Sequence, residues 1–208
     1  MLSVGQHFAN YRITRLLGAG GMGEVYLAQH PRLPREDALK VLPAELTGDP
    51  MYRKRFIREA DLACQLDHPN VVSVYDRGED QGQLWISMKY IPGADAEALI
   101  KQYGPMAPND AADVIAAVAD ALDYSYTKGL LHRDVKPANI LIDSTEAPRR
   151  KVYLTDFGIA RTVGNESRIT AANLTVGSVQ YTSPEQLTGS DLDGRCIGKI
   201  CRNAFSSG

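Results

Sequence analysis

The run His132-Arg133-Asp134-Val135-Lys136-Pro137-Ala138-Asn139 sets an acid, a cation and an amide close together, and Asp156-Phe157-Gly158 follows 17 residues after Asn139. Asp134 is suited to accept or orient the proton of an attacking hydroxyl. Lys136 can neutralise a transferred phosphoryl group, and Asn139 with Asp156 offers the hard oxygen donors that Mg²⁺ takes. Singly the pieces are ordinary: Asp-Phe-Gly is a common turn tripeptide, and His132 suits a buried structural role. Together, in this order, they read as phosphoryl transfer.

Gly18-Ala19-Gly20-Gly21-Met22-Gly23 adds a glycine-rich loop. A dinucleotide-binding loop of similar spacing would open a helix and meet an acid about 20 residues on. Here the loop runs into Glu24-Val25-Tyr26-Leu27-Ala28, a strand pattern, and Lys40 stands 17 residues after Gly23. Glycines between two strands let backbone N–H groups approach phosphate oxygens, and a lysine on the next strand supplies a point charge. The arrangement is a lid for a nucleoside triphosphate.

The elements that must position these groups change character along the chain. Tyr11 to Leu17, Val25 to Ala28, Ala38 to Leu42, Val71 to Tyr75 and Leu84 to Met88 read as short strands, the last two joined through Asp80-Gln81-Gly82-Gln83. One helix, 52 to 66, carries Phe56, Ala63 and Leu66 at helical spacing, with Glu59 on the same stripe. A carboxylate on an apolar face asks for a cation, which Lys40 can supply. From Gly93 the texture is helical. Residues 109 to 128 place Ala111, Val114, Ile115, Val118, Leu122 and Ser125-Tyr126 on one wide face, with Asn109 or Asp110 as N-cap and Gly129 as the stop. Ile140 to Ile142 and Val152 to Leu154 are β-like, and 162 to 178 is a polar loop without period.

The composition narrows the function classes. Of 208 residues, 44% are hydrophobic, and 23 Lys plus Arg stand against 25 Asp plus Glu. That near balance offers no broad electrostatic footprint for a nucleic acid or an anionic membrane. The longest strictly apolar stretch, Val114 to Ala119, falls far short of the roughly 20 residues a membrane helix needs. Three cysteines without metal-ligand spacing fit a reducing compartment, and with no secretory segment at the start the expected location is cytoplasmic.

These motifs in this order resemble the eukaryotic-type Ser/Thr protein kinases, closest in texture to the bacterial receptor-type branch, over Tyr11 to Gly194. The resemblance implies an α+β, two-lobed protein kinase-like fold: a five-stranded antiparallel N-lobe with one helix (11–91), and a mainly helical C-lobe (92–194). It implies ATP with Mg²⁺ or Mn²⁺ as cofactors, protein substrates, and a homodimer through the N-lobe as a further partner. Leu17, Gly18, Ala19, Gly20, Gly21, Met22, Gly23, Glu24 and Val25 would cover the nucleotide, with Lys40 on its phosphates and Glu59 as the partner of Lys40. Met88 falls at the gatekeeper position, so the backbone from Lys89 to Ile91 would read the adenine edge. Asp134 matches the catalytic base, and Asn139 and Asp156 match the metal ligands. Lys136, two residues after Asp134, resembles the Ser/Thr branch and not the tyrosine branch.

Asp156 to Glu185 resembles an activation loop, closing with Ser183-Pro184-Glu185 where Ala-Pro-Glu is more usual. Gly177-Ser178 stands where the family has Gly-Thr. Arg133 would pair with a phosphorylated loop, and Thr170 and Thr175 are the best placed acceptors, with Ser167 behind them.

After Arg195 nothing resembles a kinase, and 195–208 reads as a tail holding Cys196 and Cys201. The economical reading is a frameshift or premature truncation just past Gly194, leaving the C-lobe incomplete. Each Leu or Ile the missing helices would have buried is worth about 1.5 to 3 kcal/mol, so the expected consequence is a weak enzyme. The alternative is an inactive remnant acting at most as a nucleotide-binding or interaction module.

Overall fold

The computed structural model describes residues 1–21, 23–143, 145 and 150–157. It divides into two units. The first comprises Met1–Leu66 and Val72–Ile91; the second, among the described residues, takes Asp67–Val71 and 92–157.

The first unit is built on one antiparallel sheet. Its strands are β1 (His7–Phe8), β2 (Tyr11–Gly20), β3 (Gly23–Gln29), β4 (Glu36–Val41), β5 (Val74–Asp80) and β6 (Gln83–Lys89), in the order β1-β2-β3-β4-β6-β5. The expected five strands gain β1, a two-residue strand too short to show a period, which pairs His7 with Arg12 and Phe8 with Tyr11. Central β4 is buried from Asp37 to Val41, as a strand covered on both faces must be. Edge strand β5 is longer than its apolar pattern suggests. Instead of Val71 to Tyr75 it covers Val74–Asp80, because its polar residues stay in register with β6 along an exposed edge. At Gly78, opposite Trp85, an added Cβ would come within 2.7 Å of the indole ring. The ring thus packs over the gap in the strand. Gln81 (φ 50) and Gly82 (φ 74) make the expected hairpin turn.

A short helix α1 (Ala44–Thr47) precedes α2 (Pro50–Ala63). The sequence pattern places α2 at 52 to 66; it starts earlier because the Asp49 carboxylate caps it, accepting from Met51 N at 2.8 Å, and Pro50 presets the first turn. Tyr52, Phe56, Ala60 and Ala63 form its buried stripe, and Leu66 is buried beyond its end. Arg53 reaches Glu79, and Arg77 Nε donates to Asp61 at 2.7 Å, so two ion pairs tie α2 to β5. A cluster of Phe8, Tyr11, Ile13, Tyr26, Leu39, Val41 and Trp85 fills one side of the sheet, with Leu2 packed against it.

In the second unit β7 (Gly93–Asp95) pairs with β8 (Ile140–Asp143), and β8 with β9 (Lys151–Leu154), in an antiparallel sheet. Helix α3 (Ala96–Tyr103), not delimited within the stretch read as helical from Gly93, is capped by Asp95, which accepts from Ala98 N at 2.8 Å, and stops at Gly104 (φ 82). Helix α4 spans Pro108–Thr127. Its N-cap is Ala107, with no side-chain hydrogen bond, and not Asn109 or Asp110. Pro108 lacks an N–H and fixes its own φ, so the cap falls two residues before Asn109 with one orphan donor fewer. Gly129 (φ 75) ends the helix as expected. The segment 67–71 is held here by polar contacts. His68 stacks on Tyr124 at 5.1 Å, Tyr124 Oη accepts from Asp67 N, and Asn70 Nδ2 donates to Val152 O at 2.9 Å.

No described helix is long and apolar enough to cross a membrane.

Candidate active site

The phosphoryl-transfer motif folds as a loop between α4 and β8. Burial of Val135, Pro137 and Ile140 fixes its backbone, while Pro137–Asn139 closes a 3-10 turn with Asn139 N donating to Lys136 O at 2.9 Å. This turn brings three side chains together. Lys136 Nζ lies 2.9 Å from Asp134 Oδ2, and Asn139 Nδ2 donates to Asp134 O at 2.7 Å and Oδ2 at 3.2 Å. The carboxylate is therefore oriented from one side by a cation and an amide.

His132 is fully buried, and its ring carries the loop's second support. Nε2 donates to Thr155 O at 2.8 Å while Nδ1 accepts the Asp134 N–H at 3.3 Å, which sets the neutral Nε2–H tautomer. Burial lowers its pKa, and the contact with Thr155 only partly opposes that. The ring also packs on Phe157 with centroids 4.7 Å apart. His132 thus joins the catalytic loop to the Asp-Phe-Gly segment, the structural role its sequence context suggests.

Arg133 (φ 60) and Asp156 (φ 61) both adopt the left-handed backbone conformation. Such conformations cost of order 1–3 kcal/mol for residues other than glycine and concentrate at functional sites. No sequence signal points to them. They turn the chain sharply just before Asp134 and just before Phe157.

Thr155 N donates to Asn139 O at 3.0 Å, so Asp156 emerges beside Asn139. The Asn139 amide nitrogen donates to Asp134, which holds the side chain against the loop's own carboxylate. Among the described residues no group of three or more His, Cys, Asp or Glu could hold a metal. A carboxylate and an amide oxygen alone suit a cation that draws its other ligands from phosphates and water, as Mg²⁺ does.

In the first unit the glycine-rich hairpin pairs Gly18 with Val25, Ala19 with Glu24 and Gly20 with Gly23. The glycines serve different ends. Gly23 (φ 112) is required by the fold, since a Cβ there would lie 2.2 Å from Val41 O. A Cβ at Gly18, Gly20 or Gly21 would meet nothing within 4 Å. Their lack of a side chain has no packing reason, and it leaves the backbone open to close approach by a ligand. Met22 lies outside the described residues.

Lys40 is buried on β4, paired across the ladder with Val25 on one side and Ile86 on the other. Glu59 is half-buried on α2, and its charge, after burial, helps push the Tyr52 phenol up to about 12. Met88 is buried at the end of β6, followed by half-buried Lys89 and buried Ile91; Leu17 and Val25 are half-buried. Thr170, Thr175, Ser167, the Ser183-Pro184-Glu185 closure and the tail 195–208 lie outside the described residues.

The fold and these motifs define a protein kinase. A family model described as protein kinase domain matches residues 11–196, and the chain belongs to that family. It is 55% identical over 196 residues to the serine/threonine-protein kinase PknF of Mycobacterium tuberculosis, covering 93% of this chain and 41% of that one. It is 49% identical to PknJ of the same organism, covering 33% of it. The crystal structure of the Mycobacterium tuberculosis PknI kinase domain superposes with a TM-score of 0.75 at 41% identity, covering 94% of this chain and 72% of that domain. The chain spans less than half the length of PknF and PknJ. The two-lobed kinase architecture and the Ser/Thr-kinase kinship expected from the motifs are thereby shown.

Proposed function

We propose that this chain is the catalytic domain of a Ser/Thr protein kinase that transfers the γ-phosphoryl group of ATP to Ser or Thr hydroxyls of proteins, itself included. The observation that carries the reading is the Asp134 carboxylate, aligned by Lys136 at 2.9 Å and by Asn139 at 3.2 Å. Asp134 accepts or orients the substrate hydroxyl proton, and Lys136 neutralises charge on the group in flight. Asn139 and Asp156 hold Mg²⁺ or Mn²⁺, which supplies charge neutralisation at the phosphates. Catalysis on this scheme is positioning and electrostatics, with no covalent step on the protein.

On the same reading the lobes are 11–91 and 92–194, and the nucleotide lies under the glycine hairpin with Lys40, paired with Glu59, at its phosphates. The open space above Gly18, Gly20 and Gly21 supports this assignment. Met88 borders the adenine pocket and the Lys89–Ile91 backbone reads the base. Thr170 and Thr175 are the proposed autophosphorylation sites, Arg133 their phosphate partner, and dimerisation through the N-lobe the proposed self-association.

The test is incorporation of labelled phosphate from Mg·ATP into the chain and into a generic protein substrate, compared with Asp134→Asn. Incorporation that the substitution abolishes establishes the enzyme. Nucleotide binding without incorporation would reduce the chain to a nucleotide-binding module.

A further inference from the structure

The glycine hairpin is anchored from outside. Along β3 successive side chains point to opposite faces, so Glu24 and Tyr26 share the face away from Val25. Tyr26 is buried, and its hydroxyl donates to the Glu24 carboxylate while accepting the backbone N–H of Leu2 at 2.7 Å. Burial, followed by the hydrogen bond to Glu24, pushes this phenol up to about 12, so it keeps its proton at any physiological pH.

The segment carrying Leu2 is itself fixed. Gly5 N donates to Ile13 O at 2.8 Å and Ile13 N to Gln6 O at 2.9 Å, while Gln6 N closes back on Ser3 O at 3.0 Å. Leu2 packs on the core cluster beneath. Residues 2–6 therefore form a strap that crosses β2 at Ile13 and meets β3 at the Tyr26 hydroxyl, with the amino group of Met1 also 3.6 Å from Glu24 Oε2. Glu24 pairs with Ala19 across the hairpin, one step from its glycine tip. Fixing Glu24 fixes the base of the tip.

We infer that Tyr26 is a positioning residue: its hydroxyl, held by the strap, sets the height of the glycine hairpin over the nucleotide phosphates through Glu24. This rests on the reading of the hairpin as the phosphate cover. Facing away from Val25, Tyr26 acts on the nucleotide only through Glu24 and the hairpin. Its effect falls on phosphate contacts and leaves the adenosine contacts alone.

The experiment is equilibrium binding of Mg·ATP and of adenosine to the full chain, to Tyr26→Phe and to Glu24→Ala, with phosphotransfer kinetics alongside. Tyr26→Phe is expected to weaken Mg·ATP binding threefold to tenfold, leave adenosine affinity unchanged, and raise KM for ATP with kcat held. Glu24→Ala should do the same, and the double variant should be no worse than either alone, because both remove one link. Glu24→Gln, which still accepts from the phenol, should lose less Mg·ATP affinity than Glu24→Ala. Unchanged Mg·ATP affinity in Tyr26→Phe, equal losses for ATP and adenosine, or fully additive losses would each overturn the inference. If Tyr26→Phe fails to fold, the half-buried Glu24 variants carry the same comparison. An unsubstituted chain that binds neither ligand would refute the kinase reading itself, a result distinct from all of these.

Discussion

Lys136 Nζ stands 2.9 Å from Oδ2 of Asp134, the same oxygen that Asn139 Nδ2 reaches at 3.2 Å. One carboxylate oxygen is thus committed to two donors that the chain places two and five residues downstream. The consequence is a carboxylate whose position on the loop is fixed by a cation and an amide together.

Removing the charge while keeping the shape isolates that role. Asp134→Asn should lower phosphotransfer by about 10²–10⁴-fold, the range for a lost general base, with Mg·ATP affinity within about twofold of the parent. A loss of nucleotide binding of similar size would contradict the assignment.

The two kinds of glycine in the hairpin predict opposite outcomes. Gly23→Ala should cost roughly 2–5 kcal/mol in stability, from left-handed strain together with overlap on Val41 O. Gly20→Ala should leave the stability nearly unchanged, within about 0.5 kcal/mol, yet weaken Mg·ATP binding. Thermal denaturation paired with nucleotide titration separates them.

Burial lowers the pKa of His132. The unfolded chain, with an ordinary value of about 6.5, then binds more protons than the folded one between the two values. Stability is kept above about pH 6.5 and falls as pH drops from there toward the folded value. Thermal midpoints from pH 5 to 8 should show this slope, and His132→Gln, less stable throughout, should flatten it.

Helix α2 rests on its buried stripe, and Phe56 at 1% exposure is the largest side chain there apart from Tyr52. Phe56→Ala should destabilise the chain by about 3–5 kcal/mol. Chemical denaturation measures it. A loss below about 1 kcal/mol would mean that α2 is not packed as described.

Much of this was legible in the chain because local rules suffice. Gln81-Gly82 demands a turn, Gly129 stops a helix, and Phe56 with Ala63 marks a buried face whatever surrounds them. The misreadings share a cause. Strand β5 hid its length because an edge strand takes its register from β6 and keeps polar side chains, and β1 was too short to carry a period. Helix α3 was read only as helical texture, without bounds, although Asp95 and Gly104 bracket it, because eight residues give a weak periodicity.

Among the site residues, the sequence by itself determined the identity and order of the chemical groups: the glycines, Lys40, Asp134, Lys136, Asn139 and Asp156. That follows because reactivity belongs to side-chain type and a motif is local. Tertiary structure alone decided which nitrogen of His132 bears the proton, that Arg133 and Asp156 turn through left-handed conformations, which glycines the fold requires, and that Leu2 reaches Tyr26. Each depends on a contact made across distant residues or on a backbone angle held by surrounding packing. Neither is written in any short stretch of sequence.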